Sequence, residues 1–125
     1  MRVAVVAGVV VAHDAISAAV VQQAELLHTL PGIESVTVFT QHLGRDVSVP
    51  VVEVGDPWAL VRHPAFAACD TVILHWGIHY ALFDVVTLLA GRRAAVHFHN
   101  CTPIELVPES DRAAIARSEM QIAHA

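Results

Sequence analysis

Short apolar runs alternate with helical patterns along this chain, and this alternation restricts the fold more than any other feature. The runs are rich in β-branched residues, which is typical of strands buried on both faces of a sheet. The predicted strands span residues 3–7, 36–40, 51–54, 71–75 and 94–99. The predicted helices span residues 16–30, 58–68 and 81–89, and a last helix is capped by Ser110 or Asp111. Such alternation predicts a parallel sheet with right-handed crossovers.

We therefore predict an α/β fold, a Rossmann-like three-layer sandwich with a parallel sheet of about five strands. The 125 residues suffice for one domain, and a chain that is 55% hydrophobic and 15% charged suits a sheet covered on both faces. Residues 3–7, 72–74 and 96–98 carry the densest apolar runs and are expected to be the most buried strands. The last helical pattern lacks a stop signal, so we expect a fragment of a longer protein.

Composition and charge exclude several classes of function. The net charge is −5 and the basic residues are scattered, which argues against a nucleic-acid partner. No apolar run approaches the ~20 residues that a membrane-spanning helix needs. His13 and Asp14 interrupt the apolar start of the chain, which favours a first strand over a signal peptide. Cys69 and Cys101 show no metal or redox spacing, so we expect reduced thiols in a cytoplasmic protein.

The usual short motifs for phosphate binding and for nucleophilic catalysis are missing. Gly8 follows the first strand but precedes valines, so neither a dinucleotide fingerprint nor a P-loop is present. A thiol–imidazole pair of Cys101 with His99 is less favoured than a buried inert thiol. Nine histidines raise the question of a metal site, but neither His75 nor the His97–His99 pair is followed by a carboxylate or cysteine at the spacing of a known metal motif. We therefore predict no metal and no cofactor.

Two polar segments follow predicted strands and should meet at the carboxyl edge of the sheet, where ligands bind in this architecture. In the first segment His97 and His99 point to one face of the last strand, and His99, Asn100 and Thr102 form its tip. His97 lies two residues deeper and is expected to act on stability. A ligand pocket is one interpretation of this tip. Polar side chains that merely satisfy each other at a strand end are the other.

The second segment is the loop His75-Trp76-Gly77-Ile78-His79-Tyr80. Trp76 and Tyr80 offer flat rings that suit stacking against sugars, and Gly77 would allow the backbone to approach a ligand. For Trp76 alone, packing against a helix is the favoured interpretation. For the loop as a whole, a ligand-binding role is favoured because of its position at the carboxyl edge.

Residues 72–78 and 96–103 together resemble the N-terminal half of the family 4 retaining glycosyltransferases, which have the two-domain GT-B architecture. The best match is His-Asn-x-Thr-Pro at residues 99–103. The order of predicted elements is similar over nearly all of the chain. The resemblance implies an acceptor-side domain, residues 1–125, whose partner domain would hold most of a nucleotide-sugar and is absent here.

The resemblance also implies roles for individual residues. His99 would contact the donor sugar, which makes it the candidate catalytic residue. Gly8 would lie near the diphosphate, although the chain lacks the second glycine that is usual there. His75, Gly77 and Tyr80 would line the acceptor side. Asn100 and Thr102 would shape the pocket around His99.

The implied reaction transfers a sugar from a nucleoside diphosphate sugar to a hydroxyl-bearing acceptor, and the chain alone is expected to be inactive. Peripheral contact with a membrane and self-association through an uncovered apolar face are further partner hypotheses. The alternative is a non-catalytic, flavodoxin-like binding or regulatory module. A second α/β domain encoded after residue 125 would favour the transferase.

Overall fold

A five-stranded, all-parallel sheet forms the centre of the computed structural model, which describes residues 1–99 and 108–124. The strand order is β3-β2-β1-β4-β5, and each neighbouring pair is parallel. The strands are β1 (Arg2–Val11), β2 (Ser35–Gly44), β3 (Val51–Glu53), β4 (Thr71–Trp76) and β5 (Arg93–Phe98). The predicted α/β class and the five-stranded parallel sheet are therefore confirmed.

Helices cover both faces of this sheet. The helices are α1 (Ala15–His28), α2 (Pro57–Arg62), α3 (Pro64–Ala67) and α4 (Arg112–Ala123), with 3₁₀ helices at Ala81–Leu88 and Glu109–Asp111. Helix α1 packs Val20 and Ala24 on one face of β1 and β2. Helices α2 and α3 and the first 3₁₀ helix cover the other face, where Trp76 and Phe83 are buried. None of the helices in the described ranges is long and apolar enough to cross a membrane.

Local signals in the sequence account for where the helices begin and break. The Asp14 carboxylate accepts a hydrogen bond from the Ser17 N–H at 2.8 Å, which caps α1. The buried Ser17 hydroxyl also accepts from the Val11 N–H at 3.0 Å, so it joins the end of β1 to the start of α1. His63 is extended before Pro64 and separates α2 from α3, because a residue that precedes proline disfavours helical geometry.

Several predicted elements differ from the observed ones in length or type. The second strand runs to Gly44 instead of ending at Thr40, and the helix predicted at residues 58–68 is the pair α2 and α3. Strand β1 continues to Val11, where it pairs with Gly44 of β2, so Gly8 lies inside a strand rather than in the loop after it. Val9, Val10 and Val11 favour this extension because β-branched residues fit a pleated sheet. The segment Ala81–Leu88 is a 3₁₀ helix rather than an α-helix.

The expectation that residues 96–98 belong to one of the most buried strands is wrong. Strand β5 pairs only with β4 among the described residues, so it forms an edge of the sheet. Val96 is 42% exposed and Phe98 is 55% exposed, although the Phe98 ring stacks on Trp76 at 5.1 Å between centroids. Apolar content predicts burial for a central strand, but it does not tell which strand is central.

Candidate functional site

A cleft opens at the carboxyl edge of the sheet, where β1 and β4 separate. Their pairing ends at Val6 and Leu74, although β1 continues along β2 and β4 continues along β5. After β1 the chain first adds β2 and β3 on one side of the sheet and then adds β4 and β5 on the other side. The gap between β1 and β4 is therefore the topological switch point, where this architecture binds ligands. The cleft has a volume of about 490 Å³. That volume lies in the range of roughly 300–1,000 Å³ that is typical of small-molecule sites.

Four of the residues predicted from the sequence line this cleft, namely Gly8, His75, Gly77 and Tyr80. His99 lies beside it: a Cβ built on Gly77 would be 3.2 Å from the Cβ of His99. Asn100 and Thr102 lie outside the described residues, as does Cys101. The structure thus brings together the two segments that the sequence singles out, as far as the described residues allow.

The side chain of Tyr80 bridges the two strands at the point where they separate. Its hydroxyl lies 3.4 Å from the Val6 carbonyl oxygen and within hydrogen-bond distance of the His75 carbonyl oxygen. Burial raises the pKa of Tyr80, so the phenol stays neutral and acts as a donor. Tyr80 therefore presents part of its ring to the cleft, while its hydroxyl is occupied by the backbone.

Gly8 lies under this tyrosine ring. A Cβ at Gly8 would be 2.9 Å from the Cβ of Tyr80, a separation that real side chains do not adopt. The close approach of Tyr80 therefore explains why a residue without a side chain occupies position 8, and the sequence does not indicate this contact. Its contact with a diphosphate stays a prediction.

Helix α4 holds the loop that frames the cleft. Gln121 accepts from the Trp76 indole N–H at 3.2 Å and from the Tyr80 backbone N–H at 3.3 Å. The same side chain donates to the Tyr80 carbonyl at 2.7 Å and to the Asp84 carboxylate at 3.0 Å. Ser118 accepts from the His79 N–H at 2.7 Å. Trp76 is only 1% exposed and belongs to the hydrophobic core. The favoured interpretation, in which Trp76 packs inside the protein, is therefore confirmed.

Three histidines cluster on the α1 face at the carboxyl ends of β4 and β5. His75 Nδ1 lies 2.9 Å from His99 Nε2. His75 Nε2 lies 2.7 Å from Gln23 Oε1, on α1. The rings of His97 and His99 stack with centroids 4.5 Å apart. We name His75, His97 and His99 the histidine cluster.

The hydrogen bonds of the histidine cluster fix the position of its protons. Burial, reinforced by the neighbouring His97 and His99, lowers the pKa of His75 to about 4. Burial and His97 also lower the pKa of His99, against an opposing effect of Asp14.

Because the Gln23 oxygen can only accept, His75 carries its proton on Nε2 and has a lone pair on Nδ1. His99 then donates its Nε2–H to that lone pair.

Some residues of this region carry no signal in the sequence. Gln23 is 52 positions from His75. The helical pattern of apolar residues does not distinguish Gln23 from the other polar residues of the same helix. Asp14 and Gln41 also line the cleft, and the sequence analysis assigns neither of them to a ligand site. The expectation that His97 lies deeper than His99 is wrong, because β5 is an edge strand of the described sheet and His97 is exposed. The reason for expecting an effect of His97 on stability is thereby removed.

Comparison of the chain with protein-family models, with curated proteins and with solved structures found no match. The assignment of a function therefore depends on the geometry of the cleft and on the residues that line it.

Proposed function

We propose that this chain is the acceptor-side domain of a retaining glycosyltransferase, which moves a sugar from a nucleoside diphosphate sugar to a hydroxyl acceptor. The observation that carries this proposal is the cleft at the split between β1 and β4. It has the volume for a sugar, it lies where this architecture binds ligands, and it is lined by His75, Gly77 and Tyr80, with His99 beside it.

The predicted site residues have distinct roles in this proposal. His99 hydrogen-bonds a hydroxyl of the donor sugar. The prediction that Asn100 and Thr102 shape the same pocket concerns residues outside the described ranges. His75 and Gly77 lie on the acceptor side together with the ring of Tyr80. Gly8 lies near the diphosphate. The lining is largely apolar, with Ala7, Val9 and Ile16 among its residues, which suits the apolar faces of a sugar ring.

The chain provides only one side of a transferase active site, so a donor-binding domain is the partner that this function requires. Catalysis depends on groups that bind the transition state more tightly than the substrates, and in this proposal they come from both sides. A cytoplasmic location belongs to the same proposal. Peripheral membrane contact and self-association remain hypotheses about partners, and nucleic acid is not a partner in this account.

An NMR titration of the isotope-labelled chain tests the proposal. The titrants are a panel of nucleoside diphosphate sugars and hydroxyl-bearing glycosides, and flavin mononucleotide serves as the control ligand. We expect at least one sugar-containing ligand to shift the amide signals of Gly8, Gly77 and His99, while signals of β3 stay unchanged. We also expect the chain alone to transfer no sugar from any donor of the panel.

Two results would contradict the proposal. If no sugar-containing ligand shifts the cleft signals and flavin mononucleotide does, the alternative of a flavodoxin-like binding module is supported. Sugar transfer by the 125-residue chain itself would show that one side of the cleft is sufficient for catalysis.

A further inference from the structure

We propose that the histidine cluster is a binding site for a divalent transition-metal ion, with Zn²⁺ as the ion that its ligands match best. One ring nitrogen from each of His75, His97 and His99 lies within 4.8 Å of the other two. From the sequence alone we predict no metal at these residues. The fold brings a third imidazole to the His97–His99 pair, because His75 on β4 is the direct register partner of His97 on β5.

The separations within the histidine cluster are close to those of a bound ion. Zn–N bonds of about 2.0–2.1 Å in a tetrahedral site place ligand nitrogens roughly 3.3–3.4 Å apart. The Nδ1 of His75 and the Nε2 of His99 are 2.9 Å apart, so they would separate by about half an ångström around an ion. His97 is exposed on an edge strand, so its side chain can rotate from the stacked position toward the other two nitrogens.

Gln23 supplies the outer contact that metal-binding histidines usually have. Its carbonyl oxygen accepts the Nε2–H of His75 at 2.7 Å, which orients the ring and leaves the Nδ1 lone pair directed at the cluster. His75 is 1% exposed, so this ring is held in place by the protein before any ion binds. A buried ligand whose tautomer is fixed before any ion binds is a preorganised part of a metal site.

The donor set indicates the class of ion. Three neutral imidazoles favour Zn²⁺, Cu²⁺ or Ni²⁺ over Mg²⁺ or Ca²⁺, which prefer oxygen ligands. Three histidines are also a known ligand set of catalytic zinc, where the fourth position holds a water molecule or a substrate. Bound through Nε2, His99 would keep Nδ1–H as a donor, so the metal site and the proposed sugar contact are compatible.

Metal binding is measured on the 125-residue chain after removal of any affinity tag and treatment with EDTA. Titration with Co²⁺ is followed by visible absorption, and titration with Zn²⁺ by calorimetry. We expect one ion per chain and the intense visible bands of tetrahedral Co²⁺. Adding Zn²⁺ should abolish these bands by displacing Co²⁺.

Variants locate the ion. His97→Ala removes an exposed ligand that does not line the cleft, and we expect Zn²⁺ affinity to fall at least ~100-fold, since loss of an outer-shell contact alone costs about 10–100-fold. Gln23→Ala should weaken binding about 10–100-fold and change the Co²⁺ spectrum, and Gln23→Glu should restore affinity because it keeps the acceptor. The matched control is His28→Ala, an exposed histidine at the end of α1, which should bind as the parent does.

Three results would overturn the metal site. These are the absence of tetrahedral Co²⁺ bands with the parent chain, equal Zn²⁺ affinity of His97→Ala and the parent, or an equal loss in His28→Ala. The inference does not rest on the proposed glycosyltransferase function. Metal binding is measured without any sugar, and sugar-induced shifts are measured in EDTA, so either can fail while the other holds.

Discussion

Gly8 and Tyr80 show how one residue's identity is set by a partner far along the chain. The tyrosine ring crosses β1 at Gly8, and its hydroxyl joins the carbonyls of Val6 and His75. This bridge closes the floor of the cleft where the sheet hydrogen bonds between β1 and β4 end. The shape of the cleft therefore depends on the absence of a side chain at Gly8.

Replacing Gly8 with alanine is expected to destabilise the chain. The added Cβ would lie 2.9 Å from Tyr80, so either the ring or the strand must move, and overpacking of this kind typically costs about 1–3 kcal/mol. Urea unfolding of Gly8→Ala measures the loss. The matched control is Gly55→Ala, where an added Cβ meets no atom within 4 Å, and its stability should change by less than about 0.5 kcal/mol. If the free energy of unfolding of Gly8→Ala falls no more than that of Gly55→Ala, the contact with Tyr80 does not restrict the side chain at position 8.

Residue types and strand ends were sufficient to predict that Gly8, His75, Gly77 and Tyr80 lie near one another. Each follows or ends a predicted strand, and the carboxyl ends of parallel strands meet at one edge. The contacts of each side chain were not predictable, because they depend on packing between distant segments. Gln23 is the clearest example, since a glutamine on a helix gives no indication that it meets a histidine on another element.

At the scale of elements, α4 acts as a clamp on the loop after β4. Gln121 is buried, and all four of its hydrogen-bonding positions are used, three of them on Trp76 and Tyr80. Among the described residues no buried side-chain nitrogen or oxygen lacks a hydrogen-bond partner. The loop that frames the cleft is thus held by a helix that contributes no residue to its lining.

Gln121→Ala is expected to lower the free energy of unfolding by about 2–4 kcal/mol. The substitution leaves the Trp76 indole N–H and the Tyr80 backbone N–H without partners, and each unsatisfied buried group costs about 1–3 kcal/mol before relaxation. Helix propensity is not the cause, because alanine is the best helix former. Met120→Ala, an exposed neighbour on the same helix, is the control and should change stability little.

Hydrogen exchange distinguishes the clamp from a general loss of stability. Relative to the parent, Gln121→Ala should accelerate exchange of the Tyr80 amide more than exchange of the β1 amides, which report global unfolding. If all amides accelerate equally, or if Met120→Ala has the same effect, α4 does not hold this loop.

The alternation of strands and helices was predictable because hydrophobic periodicity is a local property. The order of strands in the sheet is a global property that the sequence pattern does not reveal. The apolar residues of β5 therefore predicted a buried strand, whereas β5 forms an edge of the described sheet. The length of β1 was ambiguous for a related reason. Val9, Val10 and Val11 fit a strand, but only pairing with β2 decides that they form one.

At the scale of the whole molecule, the cleft and the histidine cluster adjoin at one edge of the sheet. His75 belongs to both, because it lines the cleft and is a member of the cluster. The cleft opens where a second domain would face it in the proposed transferase. In that proposal the chain alone is expected to bind a sugar weakly, because it lacks the contacts that the second domain would add.

The central claim is that the cleft binds a sugar with His99 as a contact, and the affinity of His99→Ala for the sugar that shifts the cleft signals tests it most directly. Loss of one hydrogen bond of this kind is worth roughly 1–3 kcal/mol, so the dissociation constant measured in EDTA should rise about ten- to a hundredfold. His97→Ala, which alters the cluster without touching the cleft lining, should retain the parent affinity. The thermal midpoint of His97→Ala should stay close to that of the parent, whereas that of His99→Ala should fall modestly because buried His75 Nδ1 loses its partner. Unchanged affinity in folded His99→Ala would contradict the claim.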